Sequence, residues 1–134
     1  MLTLEEVKKL TAELQVNQTL KRSDVGSEFT VRLVDEASKL SITIPVYKGQ
    51  EFIPISVRQS VHKPSPFKSA TVRTYLSIDE DRFQISLNYL GRFQPGQPEN
   101  FHQVLSEFLD QAEKWRVKLD EHDRNDLVHV RQKR

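Results

Sequence analysis

Apolar residues near the C-terminus recur every three or four positions, a spacing typical of one face of an amphipathic helix. The stripe holds the only tryptophan of the chain and consists of Phe101, Val104, Leu105, Phe108, Ala112, Trp115 and Leu119. Glu99, just before it, suits the positive end of a helix dipole, and the period is lost after about Glu121. We therefore predict one long final helix over residues 99–121 that covers one face of a sheet.

A second helix is predicted at the N-terminus. Thr3 and Glu6 have the spacing of a capping box, in which each side chain accepts a hydrogen bond from the backbone amide of the other residue. An apolar stripe follows, made of Leu4, Val7, Leu10 and Leu14. The polar segment 17–26, which contains a glycine, predicts the end of this helix near Val16 and a loop after it.

Between the two helices the apolar period changes from about 3.6 to about 2, which is typical of half-buried strands. Five segments alternate in this way, namely 29–33, 40–46, 53–57, 72–78 and 83–89. The last two are joined by a short polar turn and form the clearest hairpin. Consecutive strands with short turns imply an antiparallel sheet. The predicted fold class is α+β, with an N-terminal helix, a five-stranded antiparallel sheet and the long C-terminal helix packed on one sheet face.

Prolines limit where two of these strands can lie. Pro45 and Pro54 lack the amide hydrogen that a central ladder position requires, so each should lie at a sheet edge or a bulge. Pro64 and Pro66 lie in the break that follows the third predicted strand, and they argue against a helix there.

Composition fits one ordinary globular domain. The chain has 134 residues, of which 37% are apolar and 29% charged. We predict a single domain over 1–134, with an ordered core at 3–122 and a flexible basic tail at 123–134. The absence of cysteine excludes disulfides and thiolate chemistry. The net charge of +1 provides no long-range field that would attract nucleic acid.

The N-terminal sequence MLTLEEVKKL places charged residues among its leucines and lacks the continuous apolar core of a signal peptide. No run in the sequence approaches the roughly 20 apolar residues of a membrane span. We therefore expect a cytoplasmic protein without a membrane partner.

No group of residues predicts catalysis, a metal site or a cofactor. None of the four histidines lies three or four residues from another, as a helix-borne metal site requires. The acidic run 79–81 is interpreted as a turn, in which short polar side chains bond their own backbone. The sequence has no Gly-x-Ser-x-Gly elbow, and its four glycines are too scattered to cradle a phosphate.

A basic stretch with aromatic residues supports an alternative function. It covers 58–75 and contains Arg58, His62, Lys63, Phe67, Lys68, Arg73 and Tyr75. Charge and stacking in such a stretch could hold single-stranded nucleic acid. A solvated loop leading into a strand explains the same residues, and the small net charge makes nucleic acid the less favoured partner. A third interpretation, a small-ligand pocket between sheet and helix, rests on analogy with the architecture alone.

The length of the final helix bears on assembly. Five strands about 4.8 Å apart make a sheet about 20–25 Å wide, whereas a helix over 99–121 would be roughly 35 Å long. Its far end should reach past the sheet, and a second subunit is the simplest way to bury it. We interpret most of the stripe as core, and Trp115 and Leu119 as candidate residues of a dimer interface.

The last part of the chain resembles a known family. The segment LSIDEDRFQISLNYL, a short loop and the segment NFHQVLSEFLDQAEKWRVKL are similar to the end of class I type III secretion chaperones. The final helix of that family often has the pattern Leu-x-x-Phe-x-x-x-Ala-x-x-Trp-Arg, which is matched here by Leu105, Phe108, Ala112, Trp115 and Arg116. The family usually has a helix between the third and fourth strands and is commonly acidic, whereas this sequence has two prolines at that place and is nearly neutral.

The resemblance implies a small cytosolic homodimer without enzymatic activity or cofactor, which binds an extended N-terminal segment of a secreted protein. An unpaired sheet edge can add such a segment as a strand, and apolar grooves accept its side chains. The candidate groove residues are Val7, Leu10 and Leu14 of the first helix beside Val34, Ile53 and Ile55 of the sheet.

Overall fold

The computed structural model describes residues 3–24, 27–49, 52–62 and 72–132, with only the backbone described at some positions within these segments. Its elements are, in chain order, α1 (Leu4–Asn17), β1 (Thr19–Asp24), β2 (Ser27–Val34), β3 (Lys39–Lys48), α2 (Ile55–Gln59), a 3₁₀ turn (Ser60–His62), β4 (Thr74–Asp79), β5 (Gln84–Arg92) and α3 (Pro98–Gln132). The predicted α+β class is confirmed.

The five strands form one antiparallel sheet in the order β1-β2-β3-β5-β4. The chain leaves β3 through α2, enters the sheet again at its far edge as β4, and returns beside β3 as β5. α1 and α3 pack against each other and against the sheet, and α2 packs against α3. One sheet face is therefore covered by helices, and β1 and β4 are the two edges.

A single hydrophobic core lies between the helices and the inner sheet face. Alternate residues of the inner strands point into it, and Phe29, Ile42 and Leu87 are fully buried. The predicted stripes of both helices supply the other side of this core. A side-chain hydrogen bond from Thr74 Oγ1 to Gln111 Oε1, at 2.7 Å, connects the edge strand β4 to α3. The helical periodicity in the sequence thus marked the core correctly.

The start of α1 confirms the predicted capping box. Thr3 Oγ1 accepts a hydrogen bond from the Glu6 amide at 3.2 Å, and the Glu6 carboxylate accepts from the Thr3 amide at 3.5 Å. The helix ends at Asn17, and its C-cap Gln18 has a left-handed φ of 63° and donates its amide to the Leu14 carbonyl at 2.8 Å. This left-handed cap turns the chain directly into β1.

The third predicted strand is wrong, because residues 55–59 form the helix α2. Ile53 and Val57 are buried, whereas Ile55 is 72% exposed. Residues four apart share a helix face, while a strand would put all three side chains on one side. Pro54 stands at the N-cap, where a missing amide hydrogen removes no helix bond. A helix therefore does lie between β3 and β4, where the sequence predicted none and where secretion chaperones usually have one.

The segment predicted as a loop after the first helix contains β1. Leu20 is its only buried apolar residue, so the segment carries no alternating signal. It is a strand because it pairs along its whole length with β2, from Thr19 opposite Arg32 to Asp24 opposite Ser27. Pairing with a neighbour decides strand structure more than intrinsic propensity does.

Pro45 lies at a bulge, one of the two places that the sequence predicted for it. Pro45 lies in β3, a central strand, and the register with β5 shifts between Pro45 and Tyr47. Val46 and Tyr47 are consecutive and both buried, which a regular strand does not allow. The bulge therefore turns an extra side chain into the core.

The backbone of α3 is helical to Gln132, beyond the end predicted at about Glu121. The flexibility of the segment 123–134 stays a prediction. Among the helices in the described part of the chain, none combines the length and the apolar character needed to cross a bilayer.

Candidate protein-binding surface

The structure does not bring the six predicted groove residues together on an open surface. Four are at most 4% exposed and belong to the core, namely Val7, Leu10, Leu14 and Ile53. Val34 lies on the opposite side of β2 from the buried Leu33, and Ile55 is exposed at the start of α2. These four core side chains stabilise the single chain and offer little exposed area to a partner. Contact of a partner with Val34 or Ile55 stays a prediction.

Trp115 and Leu119 also lie within the core of one chain, at 2% and 0% exposure. α1 packs along α3 and covers part of it. The prediction that α3 reaches past the sheet compared only helix length with sheet width and did not include this cover. Neither side chain offers appreciable area to a second subunit. A dimer contact through Trp115 or Leu119 stays a prediction.

The outer sheet face is polar, and among the described residues no element covers it. Its centre is Asn88, which is 8% exposed because neighbouring side chains surround it. The Asn88 side chain accepts from Thr43 Oγ1 at 3.1 Å and donates to Ser77 Oγ at 2.9 Å and to the Tyr75 carbonyl at 3.3 Å. This network joins β3, β4 and β5 and gives the face a fixed polar surface.

The edge strand β1 directs backbone groups away from the sheet. The Leu33 amide donates to the Gln18 carbonyl at 2.8 Å. Together with the antiparallel register, this bond shows which opposite pairs of β1 and β2 are hydrogen-bonded. Alternate β1 residues form backbone hydrogen bonds with β2, and the residues between them point their N–H and C=O groups outward, away from the sheet. The outward residues are Thr19, Lys21 and Ser23.

An arginine partly protects this edge. Arg22 Nη1 donates to the Lys21 carbonyl at 2.8 Å, which agrees with that carbonyl pointing away from β2. Arg22 Nη2 is bound to the Glu13 carboxylate of α1. Charged side chains on edge strands commonly discourage unwanted pairing. The Lys21 carbonyl therefore already accepts one hydrogen bond from a side chain.

Two large apolar side chains are exposed near the start of α2. Phe52 is 62% exposed and Ile55 is 72% exposed, and they are three residues apart in the sequence. Single exposed apolar residues are common, whereas neighbouring ones mark candidate contact surfaces. The entry to α2 is therefore the best candidate in the described chain for an apolar contact with another subunit.

The basic stretch 58–75 is only partly described, since its residues 63–71 lie outside the described part. Arg58 binds both oxygens of the Glu80 carboxylate, with Nη2 to Oε2 at 3.2 Å. This hydrogen bonding raises the pKa of the Arg58 guanidinium. Arg73 and Tyr75 are exposed. Because the charge of Arg58 is balanced by Glu80, the nucleic-acid interpretation loses one of its cations.

The acidic run after β4 is a turn, as predicted. Asp79 Oδ1 accepts from the amides of Asp81 at 3.1 Å and Arg82 at 3.3 Å. Across the residues that the structure describes, no three histidine, cysteine or acidic side chains gather where they could hold a metal ion.

A cavity of about 350 Å³ lies where the start of α3 meets the ends of β3 and β5. It is lined by Leu40, Tyr89, Arg92, Phe93, Gln94, Asn100, Phe101, Gln103 and Val104. Burial raises the pKa of the Tyr89 hydroxyl. The Tyr89 ring covers Gly91, where a Cβ would lie 2.0 Å from the hydroxyl oxygen. Small-ligand sites begin at about this volume. A small-ligand pocket between sheet and helix, the third interpretation of the sequence, would therefore lie in this cavity.

Comparison with known proteins adds to this geometry. No family and no curated protein matches the sequence. A chain of the heterodimeric ExoU-SpcU complex from the type III secretion system of Pseudomonas aeruginosa superposes with a TM-score of 0.51 and 16% identity, over 77% of this chain and 80% of that one. This chain shares its fold with a type III secretion complex subunit. The resemblance to secretion chaperones predicted from the sequence is confirmed at the level of the fold.

Two further solved structures have the same fold. A chain of the ExsC-ExsE complex aligns with a TM-score of 0.53 and 19% identity, over 89% of this chain and 97% of that one. YbjN, a putative transcription regulator from E. coli, aligns with a TM-score of 0.54 and 13% identity, over 92% and 97%. The fold therefore occurs in subunits of two protein complexes and in a putative transcription regulator.

Proposed function

We propose that this protein is a non-enzymatic, chaperone-like binding protein that holds an extended segment of a secreted protein partner in the cytoplasm. The observation that carries the proposal is the edge strand β1, with outward backbone groups, in a fold shared with a type III secretion complex subunit. A peptide can add to such an edge as a further strand. The uncovered polar face beside β1 leaves room for the side chains of that strand.

The edge alone gives limited affinity. A net contribution of about 1 kcal/mol per hydrogen bond is typical, and β1 has six residues, of which alternate ones face outward. Strand addition at β1 therefore accounts for a few bonds. Side-chain contacts have to supply the remaining affinity and the choice of partner.

Lys21→Pro should weaken capture of the partner by about tenfold, because it removes the central outward amide and places a ring where the added strand would lie. The bonds between β1 and β2 use other residues, so stability should change little. Lys21→Thr is the matched control, since it loses the same charge and keeps the amide. The measurement is quantitative mass spectrometry of proteins that co-purify with each tagged variant from the native host.

Equal capture by the proline and threonine variants would exclude strand addition at β1. A wild-type protein that retains no partner at all would contradict the proposed function as a whole.

In this proposal the protein works as a homodimer that uses Phe52 and Ile55. Ile55→Glu should shift the dimer toward monomer by about 2 kcal/mol or more, because it would bury an unpaired carboxylate in the contact. Val16 is also apolar and 81% exposed, and it lies at the end of α1. Val16→Glu is therefore the control and should leave the dimer intact. Size-exclusion chromatography with light scattering measures both, and a strictly monomeric wild type would refute this contact.

A further inference from the structure

Four basic residues form a diagonal line across the outer sheet face. Lys21 of β1, Arg32 of β2, Lys39 of β3 and Arg92 of β5 belong to four neighbouring strands. Residues that lie opposite one another on neighbouring strands form a row across the sheet. On the outer face, the row of Arg32 is next to the row of Lys21, and Lys39 and Arg92 share the row after that. We call these four residues the basic diagonal.

The size of the basic diagonal suits an extended chain. Neighbouring strands lie about 4.8 Å apart, and neighbouring rows on one sheet face lie about 6.8 Å apart. The Cα atoms of Lys21 and Arg92 are therefore roughly 20 Å from each other. An extended polypeptide covers that distance with about six residues. Successive side chains on one side of such a segment would meet successive cations of the diagonal.

Most of this charge is not neutralised by the described residues. Lys21, Arg32 and Arg92 have no ion pair with any described residue, and Lys39 binds Asp35 at 3.2 Å. Glu36 is exposed in the same turn as Asp35. The acids on the outer face itself, Glu28 and Asp79, lie in rows on the other side of Lys21. A local positive surface therefore exists despite the small net charge of the chain.

Apolar side chains lie within the basic diagonal. Leu90 shares the row of Arg32 and is 50% exposed, and Val34 shares the row of Lys39 and is half-buried. Each could contact an apolar side chain that stands between two acidic ones. Arg92 also borders the cavity at the start of α3.

We propose that the basic diagonal binds an acidic, extended segment of the partner polypeptide as it leaves the β1 edge and crosses the outer face. This inference rests on the proposed function and adds the chemistry of the segment, namely carboxylates at alternate positions with an apolar residue among them. Charge complementarity selects the segment and speeds its association more than it adds affinity.

A polypeptide fits this surface better than a nucleic acid. Single-stranded nucleic acid binds where aromatic side chains provide stacking platforms along a basic groove. Of the three rows that contain these cations, only the row of Lys21 includes an aromatic residue, Tyr75, which lies four strands away on β4. Three cations without ion pairs also give little counterion release.

The test uses a fluorescent synthetic peptide of about eight residues, long enough to span the diagonal, with alternating glutamate and serine and one central leucine. A second peptide has glutamine in place of glutamate. Fluorescence anisotropy with Arg32→Glu/Arg92→Glu should show binding of the glutamate peptide at least about tenfold weaker than to the wild type. Lys9→Glu/Lys48→Glu changes the net charge equally away from the diagonal and should bind within about twofold of the wild type.

Wild-type affinity for the glutamate peptide should fall as salt rises, because exposed charges are screened. Equal binding of the glutamine peptide, or an equal loss in the control double variant, would overturn recognition of acidic residues by the diagonal. An oligonucleotide of similar length that binds more tightly, and loses binding in Arg32→Glu/Arg92→Glu, would make the surface a nucleic-acid site and overturn the proposal as well.

The two proposals fail in different ways. If Lys21→Pro loses the captured partner while Arg32→Glu/Arg92→Glu keeps it, strand addition stands and the role of the diagonal is refuted. Thermal unfolding of each variant shows that the surface changes leave the fold intact.

Discussion

Trp115→Ala should lower the free energy of unfolding by about 3–5 kcal/mol, the range found when a large buried aromatic side chain is truncated. Trp115 is 2% exposed, and its neighbours on the same helix face, Ala112 and Leu119, are fully buried. The cavity left by the indole would lie where α3 meets the rest of the core, and rigid surroundings cannot close it completely. Chemical denaturation followed by circular dichroism measures the change.

Val117→Ala is the control on the same helix. Val117 is two residues away and 52% exposed, so its truncation should change stability by no more than about 0.5 kcal/mol. The comparison also tests the interface predicted from the sequence. If Trp115 contributed to a dimer contact instead of the core, its alanine variant would lose stability only as the protein concentration falls.

The helices were the part of the fold that the sequence predicted best. Leu4, Val7, Leu10 and Leu14 keep one helical period, and a capping box fixes where that helix begins. The β4–β5 hairpin was equally clear, because its strands alternate and a turn of acidic residues joins them. In these segments the local pattern and the tertiary environment agree, which is the condition under which sequence patterns are reliable.

Two segments were misread for opposite reasons. Ile53, Ile55 and Val57 alternate as a strand would, yet the buried pair Ile53 and Val57 also fits one turn of helix. A segment this short cannot be assigned by period alone. β1 has a single buried apolar residue, Leu20, and becomes a strand through its pairing with β2.

The candidate binding surface could not be located from the sequence because it depends on that missed strand. A sheet predicted without β1 begins at β2, so Lys21 is not part of a predicted edge strand. The four cations of the basic diagonal are scattered from position 21 to position 92 and meet only through the register. Four of the six apolar groove candidates, namely Val7, Leu10, Leu14 and Ile53, lie in the core, since an apolar stripe is buried first by its own chain.

Gly49→Ala should destabilise the protein by about 1–3 kcal/mol, the usual cost of forcing extra volume into a closed site. β3 ends at Lys48, and a Cβ on Gly49 would lie 2.2 Å from the carbonyl oxygen of Phe52. The Gly49 amide also donates to the Phe83 carbonyl at 2.7 Å, which holds the backbone in place. Relief of the clash therefore requires the backbone to move, and the chain entering α2 would move with it.

Gly96→Ala provides the matched control, because a Cβ at Gly96 meets no atom within 4 Å. Its effect on the free energy of unfolding should stay within about 0.5 kcal/mol. Since Gly49 leads into the exposed pair Phe52 and Ile55, its alanine variant should also weaken the proposed dimer contact, as light scattering would show. Equal stability of the two alanine variants would mean that the backbone around Gly49 yields freely, and that the connection from β3 to α2 does not fix the position of the dimer contact.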